Sequence, residues 1–229
     1  MTSPNRHDSL LARFALSLKM TWHYLLALAV TFVILFIKIP LLSLIPAILI
    51  LFVMFFFRNP KRNIPQEAGL ILSPADGKIL SIDEVYEDKY VKQKTVRVTI
   101  FLSIFNVHIN RAPLRGEVKY RYYRQGKFIP AFKSHASEIN EKNFIGIEGS
   151  GFRILVCQVT GFIARRINCW VNEGHHLSAG DYLGVIRFGS ANELFLPSAS
   201  NIMVKKGDSV KAGETVIATL PETPLLVKE

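Results

Sequence analysis

The chain has 229 residues, of which 49% are hydrophobic and 20% charged, and its formal net charge is +10. This apolar content excludes an intrinsically disordered chain, and its two cysteines are too few for a disulfide-stapled secreted fold. The length fits one ordinary domain plus an additional segment, and the apolar residues indicate that this segment comes first.

Two uncharged apolar runs stand near the start of the chain, Trp22 to Ile37 and Leu41 to Phe57, with only Lys38-Ile39-Pro40 between them. At 16 and 17 residues, they are at the short end of what crosses a bilayer as a helix. The second run, and the lack of a small-residue cleavage site after the first, argue against a cleaved signal peptide. The pattern predicts that residues 1–65 form a two-helix membrane hairpin with a basic linker, which either spans or only embeds in the bilayer.

Basic residues predict how this hairpin is oriented. Residues 1–62 contain seven Lys and Arg against one acid, whereas residues 63–229 contain 21 against 17. Only Lys38 lies in the turn, so the positive-inside rule predicts that both ends face the cytoplasm, at the inner (cytoplasmic) membrane of the cell. The charge excess beside the membrane suits anionic lipid, and residues 63–229 have no basic helix or Lys/Arg tract that would indicate nucleic acid.

Beyond the linker, residues 66–229 are predicted to form one β-rich catalytic domain, because short apolar runs alternate with turn residues. Helix is predicted only for Phe162 to Ile167 and for parts of 132–143. The fold class is therefore mainly β with short helices. The predicted strands are Gly77 to Val85, Thr95 to Ser103, Gly116 to Tyr123, Phe152 to Val159, Tyr182 to Phe188, Glu193 to Phe195 and Thr215 to Leu220.

An internal repeat indicates the architecture of this domain. The segment Glu173 to Leu183 aligns with Lys206 to Val216, 33 residues later, through the shared pattern G-x-x-[LV]-x-A-G. This pattern resembles turns of lipoyl and biotin carriers and predicts a barrel-sandwich-like β domain with two copies of one hairpin. A carrier needs a modifiable lysine at an exposed tip between the copies, but here that region contains Phe188-Gly189-Ser190.

The Gly189-Ser190 pair suggests a chemical step. Because Gly189 adds no bulk, the Ser190 hydroxyl can attack the Gly189 carbonyl and convert the amide into an ester. β-Elimination then gives a dehydroalanine, which hydrolyses to a pyruvoyl group. Gly-Ser pairs are also common in ordinary turns, so the pair alone does not distinguish a turn from a self-cleavage site, and the surrounding residues are needed.

Six segments in order resemble the phosphatidylserine decarboxylase family, in its short membrane-associated bacterial form. They cover nearly the whole chain. The segments are Phe57-Arg58-Asn59-Pro60, Ser73-Pro74-Ala75-Asp76-Gly77, residues 101–113 (FLSIFNVHINRAP), Ala136-Ser137-Glu138, residues 161–167 (GFIARRI) and Ile186-Arg187-Phe188-Gly189-Ser190.

The resemblance implies a self-processing, pyruvoyl-dependent lyase that converts phosphatidylserine to phosphatidylethanolamine and carbon dioxide through a Schiff base. Ser190 is then the residue that cuts the chain between 189 and 190 and becomes the pyruvoyl group, with no external cofactor. His108 is the base that takes the Ser190 proton, and Asp76 orients the His108 ring, as the acid does in a serine-hydrolase triad.

Cleavage would give fragments 1–189 and 190–229, which are expected to stay associated. Arg165 and Arg166 either bind the substrate phosphate or form a solvated charge pair. Cys157 and Cys169 are expected to be reduced core residues, and no metal site is predicted. Whether the chain forms a homo-oligomer is left open.

Two other functions fit parts of the pattern. One is decarboxylation of another serine-headed lipid, such as an ether lipid, because the headgroup chemistry is identical. The other is a non-catalytic, membrane-anchored module resembling lipoyl carriers. Such a module would require neither His108 nor Ser190.

Overall fold

The fold is given by a computed structural model that describes residues 9–129, 139–161, 166–186 and 190–221. The chain divides into two compact units. One unit comprises Arg6–Lys61 and is helical where it is described. The other contains the chain from Arg62 onward and consists mainly of β-strands.

The helical unit contains α1 (Leu10–Lys38), a 3-10 turn (Pro40–Ser43) and α2 (Leu44–Phe56). Ser9 caps α1, since its hydroxyl accepts a hydrogen bond from the Ala12 N–H at 3.2 Å. The helix ends just before Pro40, because a proline disfavours helical geometry in the residue that precedes it. Two apolar helices joined at Pro40 agree with the predicted hairpin, although α1 begins at Leu10 rather than near Trp22.

Within the described residues, α1 is the one helix long and apolar enough to cross a membrane. With 13 residues, α2 is about 20 Å long, which is less than the roughly 30 Å of the hydrocarbon core. The large apolar side chains of this unit are mostly exposed; Leu11 and Leu41 are each 78% exposed. Such a surface is suited to lipid rather than to water.

The β unit contains fourteen strands within the described residues. They are β1 (Leu70–Leu72), β2 (Gly77–Glu87), β3 (Gln93–Leu102), β4 (Ile109–Arg111), β5 (Gly116–Arg124), β6 (Lys142–Gly149), β7 (Phe152–Val159), β8 (Ile167–Cys169), β9 (His176–Leu177), β10 (Tyr182–Ile186), β11 (Ser190–Pro197), β12 (Asn201–Ile202), β13 (Ser209–Val210) and β14 (Val216–Thr219).

These strands form three antiparallel sheets. The largest has eight strands in the order β13-β2-β3-β11-β7-β6-β5-β9, and the smaller ones have the orders β4-β10-β8 and β1-β14-β12. One face of the large sheet packs on the main core, which includes Ile100, Ile145 and Leu194. The opposite face has a smaller apolar cluster with Phe144 and Cys157.

The two repeat copies lie at the two edges of the large sheet. β9 belongs to the first copy and pairs with β5, whereas β13 belongs to the second and pairs with β2. The turns that follow these strands come together, since a Cβ built on Gly213 would lie 3.6 Å from the Cα of Gly180. The sheet is therefore curled so that its edges approach each other, and the predicted mainly β, barrel-sandwich-like class is confirmed.

One predicted helical region is helical in part and then leads into a strand. Part of 132–143 was expected to be helical; Ile139 is helical, whereas Lys142 and Asn143 begin β6, and residues 130–138 lie outside the described residues. The first six residues of β6 are buried on both faces, which removes the alternation that signals a strand. Of the other predicted helix, residues 162–165 lie outside the described residues and Ile167 begins β8.

Candidate active site

Ser190 is the first residue of β11, an interior strand that lies between β3 and β7. Ser190 is fully buried and pairs with Leu102, the last residue of β3. Its hydroxyl has no hydrogen-bond partner among the described residues. Leaving a buried polar group unpaired costs about 1–3 kcal/mol, so this hydroxyl is an exception that calls for a chemical explanation.

Strand pairing brings the backbone of His108 to the end of the fold where Ser190 lies. Leu102 pairs with Ser190, and Ile109 pairs with Val185. In addition, the Ile186 N–H donates to the His108 carbonyl at 3.3 Å. The segments 102–109 and 185–190 each connect the large sheet with the β4-β10-β8 sheet. They pair with each other at both ends, through Leu102 with Ser190 and through Ile109 with Val185.

The turn before His108 sets the orientation of its ring. The Ser103 N–H and hydroxyl both donate to Asn106 Oδ1, at 2.9 and 2.7 Å. His108 is buried, and its Nδ1 lies 2.9 Å from the Asn106 carbonyl oxygen. Since a carbonyl oxygen only accepts, this hydrogen bond requires the proton on Nδ1. The neutral ring then has its lone pair on Nε2, where a base needs it.

Asp76 lies in the turn between β1 and β2 and is held by a buried cation. Arg62 Nη2 donates to both Asp76 carboxylate oxygens at 2.8 Å, and the Ala212 N–H donates to Oδ1 at 2.8 Å. The same turn contacts the His108 region through its backbone, because the Arg111 N–H donates to the Pro74 carbonyl at 2.9 Å. These contacts of Asp76 go to Arg62 and Ala212 and do not test whether Asp76 orients the His108 ring. That role of Asp76 therefore stays a prediction.

We expect the Arg62→Met substitution to destabilise the β unit by about 3–5 kcal/mol, because it leaves the buried Asp76 carboxylate without its cation. The side chains of Arg62 and Asp76 are only 5% and 12% exposed. Denaturant unfolding of the detergent-solubilised protein measures the change. Lys119→Met removes an ion pair of the same 2.8 Å length at the surface and is expected to have little effect. Equal stability of the two variants would contradict a structural role for the Arg62–Asp76 pair.

The structure describes only some of the other predicted site residues. Gly189 and Arg165 lie outside the described residues, and Arg166 is exposed. Cys157 and Cys169 are both free thiols, as expected. Burial raises the pKa of the Cys157 thiol, so it stays protonated and is a poor nucleophile.

Two contributions to this site were not predicted. Arg62 was counted among the basic residues of the membrane linker, yet it pairs with Asp76. Asn106 contributes its backbone carbonyl to His108, and no side-chain pattern marks such a contact. The sequence Ser103-Ile-Phe-Asn106 could have indicated the turn, though not the carbonyl contact itself, because a Ser and an Asn three residues apart are typical of a side-chain-stabilised turn.

Comparison with known proteins gives one consistent result. The family model described as phosphatidylserine decarboxylase matches residues 49–218. A phosphatidylserine decarboxylase proenzyme of Carboxydothermus hydrogenoformans is 54% identical over 180 residues, covering 78% of this chain and 84% of that protein. Proteins of the same name from Symbiobacterium thermophilum (49% identical; 76% and 81% covered) and Syntrophus aciditrophicus (40% identical; 93% and 99% covered) are also similar.

Proposed function

The chain belongs to the phosphatidylserine decarboxylase family, and on that premise we propose that it is a self-processing, pyruvoyl-dependent enzyme. Its reaction would convert phosphatidylserine to phosphatidylethanolamine and carbon dioxide. The observation that supports this most is the buried Ser190 hydroxyl, which has no hydrogen-bond partner among the described residues.

His108 is the base in the proposed self-cleavage. Its Nε2 takes the proton from the Ser190 hydroxyl as Oγ attacks the Gly189 carbonyl carbon. The peptide C–N bond breaks and leaves an ester, with a free amine on residue 190. Elimination then removes the α-proton and breaks the Cβ–Oγ bond, which releases Gly189 as a carboxylate. The resulting dehydroalanine takes up water and loses ammonia, and this leaves a pyruvoyl group.

The surroundings of residue 190 are suited to such a group. The position is fully buried and lies at the start of a strand, so bulk water is kept away from a reactive ketone. The pyruvoyl group supplies a ketone that condenses with the headgroup amine, and a neighbouring amide carbonyl that accepts the electrons left by carbon dioxide.

The sheet topology supports continued association of the two fragments. Fragment 190–229 contributes β11, which pairs with β3 and β7 of the other fragment. It also contributes β13, which pairs with β2, and β14, which pairs with β1. Separating the fragments would therefore expose the core and four sets of backbone hydrogen bonds, so we expect the cut protein to remain folded.

We propose that the enzyme acts at the cytoplasmic face of the inner membrane. Apolar helix α1 and the basic residues on either side of the hairpin support this, although Arg62 is bound to Asp76 rather than available to lipid. Expressed in bacteria, the protein should remain in the membrane fraction after an alkaline carbonate wash. A C-terminal tag should resist protease added to intact spheroplasts. Release by the wash would contradict membrane anchoring, and digestion of the tag would contradict the orientation.

The activity is tested with lipid labelled in the headgroup carboxylate. Purified processed protein should release labelled carbon dioxide from diacyl phosphatidylserine in mixed micelles. Release only from an ether-linked serine lipid would reassign the substrate. No release from either lipid by folded, processed protein would contradict the proposed activity and favour the non-catalytic module.

A further inference from the structure

A row of buried amide side chains crosses the large sheet beside Ser190. Asn143 on β6 pairs in register with Gln158 on β7, which pairs with Asn192 on β11. Asn110 on β4 extends the row, and all four residues are fully buried. Since side chains alternate along a strand, Asn192 and Ser190 project from the same face of β11.

The hydrogen bonds within this row show which amide atoms have partners and which do not. Asn143 Nδ2 donates to Gln158 Oε1 at 2.8 Å, and Gln158 Nε2 donates to Asn110 Oδ1 at 2.7 Å. The Asn110 carbonyl is therefore occupied, and its amino group Nδ2 has no partner within the part of the chain that the structure describes. Asn192 has no described partner for either its Nδ2 or its Oδ1, and Asn143 Oδ1 also has none, so the unpaired donors are those of Asn110 and Asn192.

Unpaired buried amides are rare in native proteins, because each loses its hydrogen bonds to water without replacement. Here the unpaired donors of Asn110 and Asn192 belong to the face that holds the Ser190 hydroxyl. Such donors would be satisfied by an acceptor that enters the protein only when substrate is bound. Carboxylate oxygens are strong acceptors for amide N–H groups.

The row has no charged side chain, and this suits the substrate carboxylate, which loses its negative charge when it leaves as carbon dioxide. The buried Lys142–Glu193 ion pair, 2.8 Å long, belongs to residues that alternate with Asn143 and Asn192 and so lies on the opposite face. The row itself is neutral. A cation bound to the reacting carboxylate would stabilise the ground state and oppose the loss of carbon dioxide, whereas neutral amides orient the carboxylate at less cost.

We propose that Asn192 and Asn110 bind the carboxylate of the serine headgroup, and that Gln158 and Asn143 act as positioning residues. This inference rests on the proposed function. The lipid tails must stay in the membrane, so the phosphodiester leads outward from the site. The amine reacts at residue 190, and the carboxylate is then the headgroup's remaining free end that can face the buried row.

The test compares Asn192→Leu with Leu194→Met, a volume-conserving change two residues along the same face of β11. Wild type and both variants are examined for cleavage by intact mass, for thermal stability and for carbon dioxide release. Reductive trapping with cyanoborohydride compares phosphatidylserine with phosphatidylethanolamine, which has the same amine but lacks the carboxylate.

Asn192→Leu is expected to be cut normally and to be at least as thermostable as wild type, because it replaces unpaired buried polar atoms with apolar ones. Its turnover of phosphatidylserine should fall by about tenfold or more, as expected when a charged group loses a hydrogen bond. Trapping of phosphatidylethanolamine should be unchanged. The Leu194→Met variant should resemble wild type in every readout.

Unchanged turnover of phosphatidylserine by Asn192→Leu would overturn the proposed carboxylate site. So would an equal loss of reductive trapping for phosphatidylserine and phosphatidylethanolamine. If Asn192→Leu is not cut, Asn110→Asp provides the second test, since its carboxylate still accepts from Gln158 but repels the lipid carboxylate. Failure of both variants to be cut would assign the row to self-cleavage or folding and would also overturn the proposal. An uncut wild-type protein, or one that traps neither lipid, would instead contradict the proposed function.

Discussion

Replacing Ser190 with alanine should leave a single full-length chain with no decarboxylase activity. Alanine retains the buried position at the start of β11 but has no hydroxyl to attack the Gly189 carbonyl, so neither the ester nor the pyruvoyl group can form. Because the pyruvoyl group supplies the ketone needed for the reaction, we expect this substitution to abolish activity. Gel electrophoresis reports cleavage, and release of labelled carbon dioxide reports activity.

The matched control for this experiment is Ser200→Ala. Ser200 is also buried, and its hydroxyl likewise lacks a hydrogen-bond partner in the described part of the chain, but it lies just beyond the end of β11. Its alanine variant should be cut and active. Cleavage of the Ser190→Ala chain at 189/190, or loss of cleavage in both variants, would remove the special role assigned to Ser190.

Replacing His108 with alanine should slow self-cleavage by about 10²–10⁴-fold, the usual contribution of a positioned general base. The hydrogen bond between Nδ1 and the Asn106 carbonyl leaves Nε2 as the acceptor nitrogen, and the substitution removes that nitrogen. Translation in a cell-free system, followed by a time course of fragment appearance, measures the rate.

The exposed His176 on β9 provides the control for loss of a histidine. His176→Ala should be processed at the wild-type rate. If His108→Ala were processed equally fast, His108 would not be the base, and its burial beside the 185–190 segment would need a structural explanation.

Local patterns in the sequence predicted much of the fold and identified the residues of the proposed site. Ser190 and His108 lie in segments recognisable by their residues alone, and the strands containing Gly77, Thr95 and Phe152 show ordinary strand signals. The repeat was also informative, because its two copies occupy the two edges of the curled sheet, where their turns approach each other.

Contacts that depend on strand register were not predictable in this way. Asn143, Gln158 and Asn192 form a row only because β6, β7 and β11 pair in one particular alignment, and nothing local to Asn192 reveals its neighbours. The same holds for Arg62, whose basic surroundings suggested lipid contact. Its pairing with Asp76 depends on how the chain enters the β unit, and this is a tertiary effect.

The intact mass of the wild-type protein shows whether the chain converts its own Ser190 into a pyruvoyl group. The protein should be purified from a bacterial membrane in buffer without primary amines. We expect two fragments, 1–189 and 190–229, the second lighter by one ammonia than a peptide that begins with serine. A single unmodified full-length chain in folded protein would rule out conversion of Ser190 into a pyruvoyl group.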